Sequence, residues 1–139
     1  MRILYVSSFA YPTIVGGAEH TLHRLVSGMV ARGHEVRVVA LRSHEVQSAG
    51  PAPGYLRLFE VRNRYVPDGA RAHGGAEKLL WHLRDIYNPA AARDLARVIA
   101  EFRPDVISAH DLAGWSISVW DAAQRAGVPV VQVLQNYYL

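Results

Sequence analysis

An open α/β sheet, Rossmann-like and doubly wound, is the fold this sequence predicts: about five mainly parallel strands with helices on both faces. Three observations carry it. Short valine-rich apolar runs alternate with stretches whose apolar residues recur every three or four positions. Glycine or proline stands at nearly every change of period. No apolar run approaches the about 20 residues needed to cross a bilayer, so the runs read as buried strands.

Ile3, Leu4, Tyr5 and Val6 form a continuous apolar run, the pattern of a strand covered on both faces, and Ser7 and Ser8 open a loop that holds Pro12, Gly16 and Gly17. From Ala18, Leu22, Leu25, Val26, Met29 and Val30 share one helical face, while Glu19, His23, Arg24 and Arg32 take the other; Gly33 closes the helix. Residues 36–41 are a second buried strand, and the short strand-helix-strand connection predicts parallel pairing. Residues 42–54 read as a loop, 55–61 as a third strand, and 62–75 as a polar, mobile connection.

Leu79, Leu80, Leu83, Ile86 and Tyr87 then repeat at helical spacing. After Asn88, Pro89 suits a first helical turn, and Leu95, Val98, Ile99 and Phe102 line one side of a further helix. Pro104 and Asp105 introduce a short buried strand over 106–109 that ends in His110 and Asp111. A last helix is expected over 115–126, stopped by Gly127 and Pro129, before a final strand over 130–134.

At 139 residues, 50% hydrophobic and 19% charged, residues 1–139 are expected to form one globular domain. The absence of cysteine excludes a disulfide scaffold, a zinc-thiolate site and a thiol nucleophile, and fits a reducing compartment. The N-terminus runs directly into a strand without a small-residue cleavage site, so a cytoplasmic location is expected. The net charge is +3, with Lys78 the sole lysine and the excess lying before Gly75. That balance suits an anionic ligand or a membrane surface, whereas no dense basic run marks a nucleic-acid site.

Ligands on such sheets bind beyond the carboxyl ends of the strands. Gly16 and Gly17, opening a helix, would let backbone N–H groups approach an anion with the helix dipole behind them; equally, two glycines can merely let the chain turn. The dinucleotide fingerprint is absent, as is a P-loop, although Arg42 at the end of the second strand could meet a ribose phosphate and keeps an NADP-dependent oxidoreductase as an alternative. A non-catalytic α/β interaction module is the other.

His110 emerges from a buried strand where an imidazole can meet a ligand hydroxyl or phosphate, or be structural. Asp111 can orient that ring or cap the next helix. His20 and His23 lack the further ligands a metal needs. Trp81, Trp115 and Trp120 can line a sugar or lipid site or pack in the core. The repeat of Gly16-Gly17-Ala18-Glu19 at residues 74–77 stands alone and is treated as chance.

Met1-Arg2-Ile3-Leu4-Tyr5-Val6-Ser7, Gly16-Gly17-Ala18-Glu19 and Arg32-Gly33-His34-Glu35-Val36 together resemble the N-terminal domain of glycosyltransferase family 4, retaining enzymes of the GT-B fold. Arg103-Pro104-Asp105-Val106-Ile107 running to His110, then Ala126-Gly127-Val128-Pro129-Val130-Val131 and Gln135-Asn136-Tyr137-Tyr138, extend the resemblance over most of the chain. Residues 42–88 add almost nothing to it.

The resemblance implies one half of a two-domain enzyme. This acceptor-side domain would face a C-terminal domain, absent from these residues, that holds the nucleotide sugar through paired glutamates; alone, it is expected to fold without activity. Gly16 and Gly17 then look like the loop against the donor diphosphate and transferred sugar. His110 looks like the active-site histidine, holding a sugar hydroxyl or orienting the acceptor, with Asp111, Asn136 and Tyr137 on the substrate side. Ser108 stands where the family often has another histidine, and Gln135-Asn136 replaces a common His-Asp pair. No cofactor or metal is implied, the nucleotide sugar being a co-substrate. The acceptor is expected to be a sugar, lipid or small molecule, and the cytoplasmic location leaves room for peripheral contact at the inner membrane face.

Overall fold

A computed structural model of the protein describes residues 1–42, 50–60 and 75–134, apart from the side chains of 75–78 and Trp81. Five strands, β1 (Arg2–Val6), β2 (Glu35–Leu41), β3 (Leu56–Phe59), β4 (Val106–Ala109) and β5 (Val130–Gln132), form one sheet in the order β3-β2-β1-β4-β5. Every pairing is parallel. Four helices, α1 (Gly17–Ala31), α2 (Gly75–Ile86), α3 (Pro89–Phe102) and α4 (Ser118–Arg125), complete the described elements.

Alternation along β1 divides the core into two layers. Leu4 and Val6 pack with Val39, Ile107 and the buried faces of α3 and α4. Ile3 and Tyr5 pack with Val36, Val38 and the Leu22–Val26 stripe of α1 on the opposite face. Both faces of the central strands are therefore covered, which is why their sequences read as unbroken apolar runs.

The helix ends follow their local chemistry. Gly16 is the N-cap of α1, and Glu19, at the third helical position, accepts a hydrogen bond from its N–H at 2.7 Å, the glutamate half of a capping box. At the other end Gly33 (φ +78°) donates to the Val30 carbonyl and His34 to that of Met29, the paired bonds of a Schellman motif. Asn88 caps α3 by accepting from the N–H groups of Ala90 and Ala91, with Pro89 following as expected.

Three elements are shorter than the sequence expectation. The last helix begins at Ser118 rather than 115, because Trp115 and Ser116 both donate backbone hydrogen bonds to Leu112 O in a tight turn, and Ser116 has φ +68°. The last strand ends at Gln132 rather than 134: β4 stops at Ala109, whose carbonyl takes the final ladder bond from Val133 N, and no strand partner for Leu134 is found among the described residues. The third strand occupies Leu56–Phe59, and the connection expected to be mobile lies largely outside the described residues. On α2 the apolar residues Leu79, Leu80, Leu83 and Ile86 are exposed and join neither core layer.

Candidate active site at the strand termini

The strand order reverses between β1 and β4, and in a doubly wound sheet that reversal opens a crevice at the carboxyl edge. Residues 7–16 leave β1 there and residues 110–117 leave β4. The two loops are bonded to each other. Ser8 Oγ donates to Ala113 O at 2.6 Å and reaches Asp111 O at 3.2 Å. Trp115 Nε1 donates to Ser7 O at 2.8 Å, and His110 N donates to Val6 O at 2.9 Å. Gly114 adopts φ +80°, and a Cβ there would come within 2.6 Å of Leu41 Cδ1, so glycine is required for the second loop to lie down on β2.

His110 stands at the expected strand end, but its side chain is buried, 3% exposed. Its Nε2 lies 3.1 Å from Ser108 Oγ and its ring centroid 5.8 Å from that of Tyr5. Its carbonyl accepts from Gln132 Nε2 at 2.8 Å, tying the site to β5. Burial pushes the Tyr5 phenol above its usual range.

At the paired glycines the carboxylate of Glu19, itself buried, accepts from Val15 N at 3.2 Å as well as from Gly16 N. The N–H of Gly16 is thereby used within the loop. Those of Gly17 and Ala18 open the helix, where no carbonyl stands one turn back to accept them. Neither glycine is needed for the turn: Gly16 is extended (φ −164°), neither has positive φ, and a Cβ on either would meet nothing within 4 Å. Both are exposed. The explanation from chain turning alone therefore does not account for them.

Asp111 neither caps a helix nor bonds the His110 ring. Its Oδ1 accepts from Ala113 N at 3.1 Å, an Asx turn that shapes the loop, because α4 starts too far along the chain and has Ile117 at its N-cap. Asn136 and Tyr137 lie outside the described residues. Trp115 is core, 1% exposed, rather than a sugar platform, and Trp120 donates to Gln132 Oε1 at 3.0 Å. The Arg42 guanidinium is engaged by Glu60 at 3.0 Å. His23 stacks on Tyr11, ring centroids 4.4 Å apart, and among the described residues no group of three or more potential metal ligands is found.

The structure thus brings His110, Asp111, Ser7 and Ser8 together on one rim, with Gly16 and Gly17 farther along the same loop. Sequence reasoning missed Ser8 and the second role of Glu19. The Glu19 role had a readable signal, its spacing of three from Gly16. Ser8 had none, since a hydroxyl reaching a distant carbonyl leaves no periodic trace.

Comparison with known proteins adds the following. The family described as "Glycosyl transferase 4-like domain" matches residues 16–139. An uncharacterized 42.6 kDa protein in the cps region of Klebsiella pneumoniae is 29% identical over 140 residues; the match covers all of this chain and 38% of that protein. Among solved structures, a UDP-GlcNAc 2-epimerase from Neisseria meningitidis bound to UDP-GlcNAc superposes with a TM-score of 0.51 at 12% identity, over 96% of this chain and 32% of the epimerase. The C-terminal domain of a hydrogenase from Pyrococcus furiosus gives 0.60 at 14% identity, over 95% and 90% of the two chains. At these identities the structural likenesses establish the Rossmann-like fold alone.

Proposed function

The chain belongs to the family of glycosyl transferase 4-like domains, and from that premise we propose that it forms the acceptor-side half of a glycosyltransferase that moves a sugar from a nucleotide-sugar donor with retention of anomeric configuration. The observation that carries the reading is the pair of exposed glycines that the fold itself does not require, set at a helix start on a loop bonded to the loop of His110.

Breaking the bond between sugar and diphosphate places charge on the leaving phosphate. The N–H groups of Gly17 and Ala18 and the positive end of α1 stabilise that charge without moving, and the missing Cβ atoms let phosphate oxygens approach. His110 serves as a substrate-side group at the pocket floor, and Asp111 shapes the loop beside it. Asn136 and Tyr137 are assigned a substrate-binding role through the family resemblance alone. The chain spans 38% of the Klebsiella protein, in accord with a second, nucleotide-binding domain completing the cleft. The donor acts as a co-substrate, and no cofactor is assigned.

The test is nucleoside diphosphate release by the full-length protein from a panel of UDP- and GDP-sugars with candidate acceptors. Release dependent on both Gly17 and His110 supports the reading. Micromolar binding of NADPH with no response to any sugar nucleotide overturns it in favour of an oxidoreductase.

The exposed residues Leu79, Leu80, Leu83 and Ile86 of α2 favour a peripheral contact with the membrane surface, as a lipid acceptor would require. Cosedimentation with anionic vesicles checks it, with Leu79→Ser/Leu83→Ser expected to abolish pelleting. No helix among the described residues is long and apolar enough to cross a membrane.

A further inference from the structure

Ser108 lies on β4 and His110 directly follows the strand, two residues on, so both side chains leave the same face of the sheet. The hydroxyl of one stands 3.1 Å from Nε2 of the other, and both residues are buried. Tyr5 pairs with Ser108 across the β1–β4 register and sets its ring against the imidazole, so Ser108 and Tyr5 both border the histidine. A serine hydroxyl both donates and accepts, and can therefore satisfy Nε2 in either neutral tautomer and in the protonated ring. A buried ring nitrogen deprived of that partner has reason to turn.

The geometry points to Ser108 as the positioning residue of His110, holding Nε2 so that the imidazole keeps one orientation and one hydrogen-bonding state at the floor of the sugar-transfer pocket. The functional half of this inference rests on the glycosyltransferase reading above; the Ser108–His110 hold does not. Ser108 touches the ring and not the reacting atoms. Its contribution is to the order of the group that does.

The experiment has two arms. In the first, the chain labelled with 15N-histidine is compared as wild type, Ser108→Ala and Ser108→Thr by long-range proton–nitrogen correlation. The His110 ring nitrogens are expected to shift in the alanine variant toward tautomer averaging, and to return in the threonine variant. Unchanged ring signals in Ser108→Ala overturn the inference whatever the protein catalyses. Should the alanine variant not fold, Ser108→Cys, similar in size but a weaker hydrogen-bonding partner, is read in the same way.

In the second arm, nucleoside diphosphate release by the full-length protein is measured. Ser108→Ala is expected to lower kcat about tenfold while the donor KM stays within about twofold, the mark of a misplaced group rather than lost binding. Ser108→Thr is expected to recover most of the rate. Full activity in Ser108→Ala, beside a His110→Ala variant that is inactive, overturns the positioning role. Full activity in His110→Ala instead removes His110 from the reaction, and the ring-nitrogen shifts then still decide whether Ser108 holds it.

Discussion

The hydroxyl of Ser8 donates to the carbonyl oxygen of Ala113 at 2.6 Å, joining residues 105 positions apart in the sequence. With the Trp115 indole bonded to the Ser7 carbonyl, it makes the loops after β1 and β4 a single rim. Ser8→Ala is expected to lower the unfolding free energy by about 1–2 kcal/mol, since the part-buried Ala113 carbonyl loses its donor. Trp115→Phe removes the neighbouring bond. Urea denaturation of both single variants and the double variant should give a coupling of about 0.5 kcal/mol or more. Strict additivity would show that the two bonds act independently.

Glycines on the two loops should respond oppositely to alanine. At Gly114 the positive φ and the approach to Leu41 predict a loss of about 1–3 kcal/mol in stability. Gly17→Ala, in open space at a helix start, should change stability by no more than about 1 kcal/mol, and in the stabilising direction. Its effect should fall instead on nucleotide-sugar turnover by the full-length protein. Thermal melts beside turnover separate the two; a large stability loss at Gly17 would contradict the account.

Removing the Glu19 carboxylate orphans the N–H groups of Val15 and Gly16. Glu19→Ala is expected to cost about 1–2 kcal/mol, and Glu19→Gln, which keeps an acceptor oxygen, less. Hydrogen exchange at Val15 and Gly16 should accelerate in the alanine variant. No acceleration there would show that the loop is held by something else.

Alkaline pH should weaken the fold through Tyr5. Its phenol is buried and its pKa is raised above 10.0, so between the unfolded and folded values the unfolded chain has lost a proton that the native one keeps. Tyr5 thus contributes stability that is full below about pH 10 and declines as pH rises through the folded value. Tyr5→Phe should flatten that decline in denaturation curves from pH 9 to 11, whereas an equal slope in the variant would assign the effect to other groups.

What was legible in the sequence was what repeats locally. The valine-rich strands and the α1 and α3 faces obey short periods, and the helix-end signals at Gly33 and Pro89 are local chemistry. Trp115 misled because its spacing to Val119 and Ala122 fits a helix, whereas its indole is committed to a carbonyl across the sheet and the backbone turns at Ser116 before the helix starts. For the same reason Asp111 read as a cap and serves a turn. His110 was placed correctly at a strand terminus, but its contact with Tyr5 could not be read there, because only the β1–β4 pairing supplies that neighbour.

That pairing joins β1 to a strand translated about a hundred residues after it. A nascent chain can form β1, α1 and β2 early, yet its pocket wall has no second loop until Trp115 has left the exit tunnel. Until then the β4-facing edge of β1 is an open strand edge, the kind of surface a growing polypeptide shields by binding chaperones or by waiting for its own continuation.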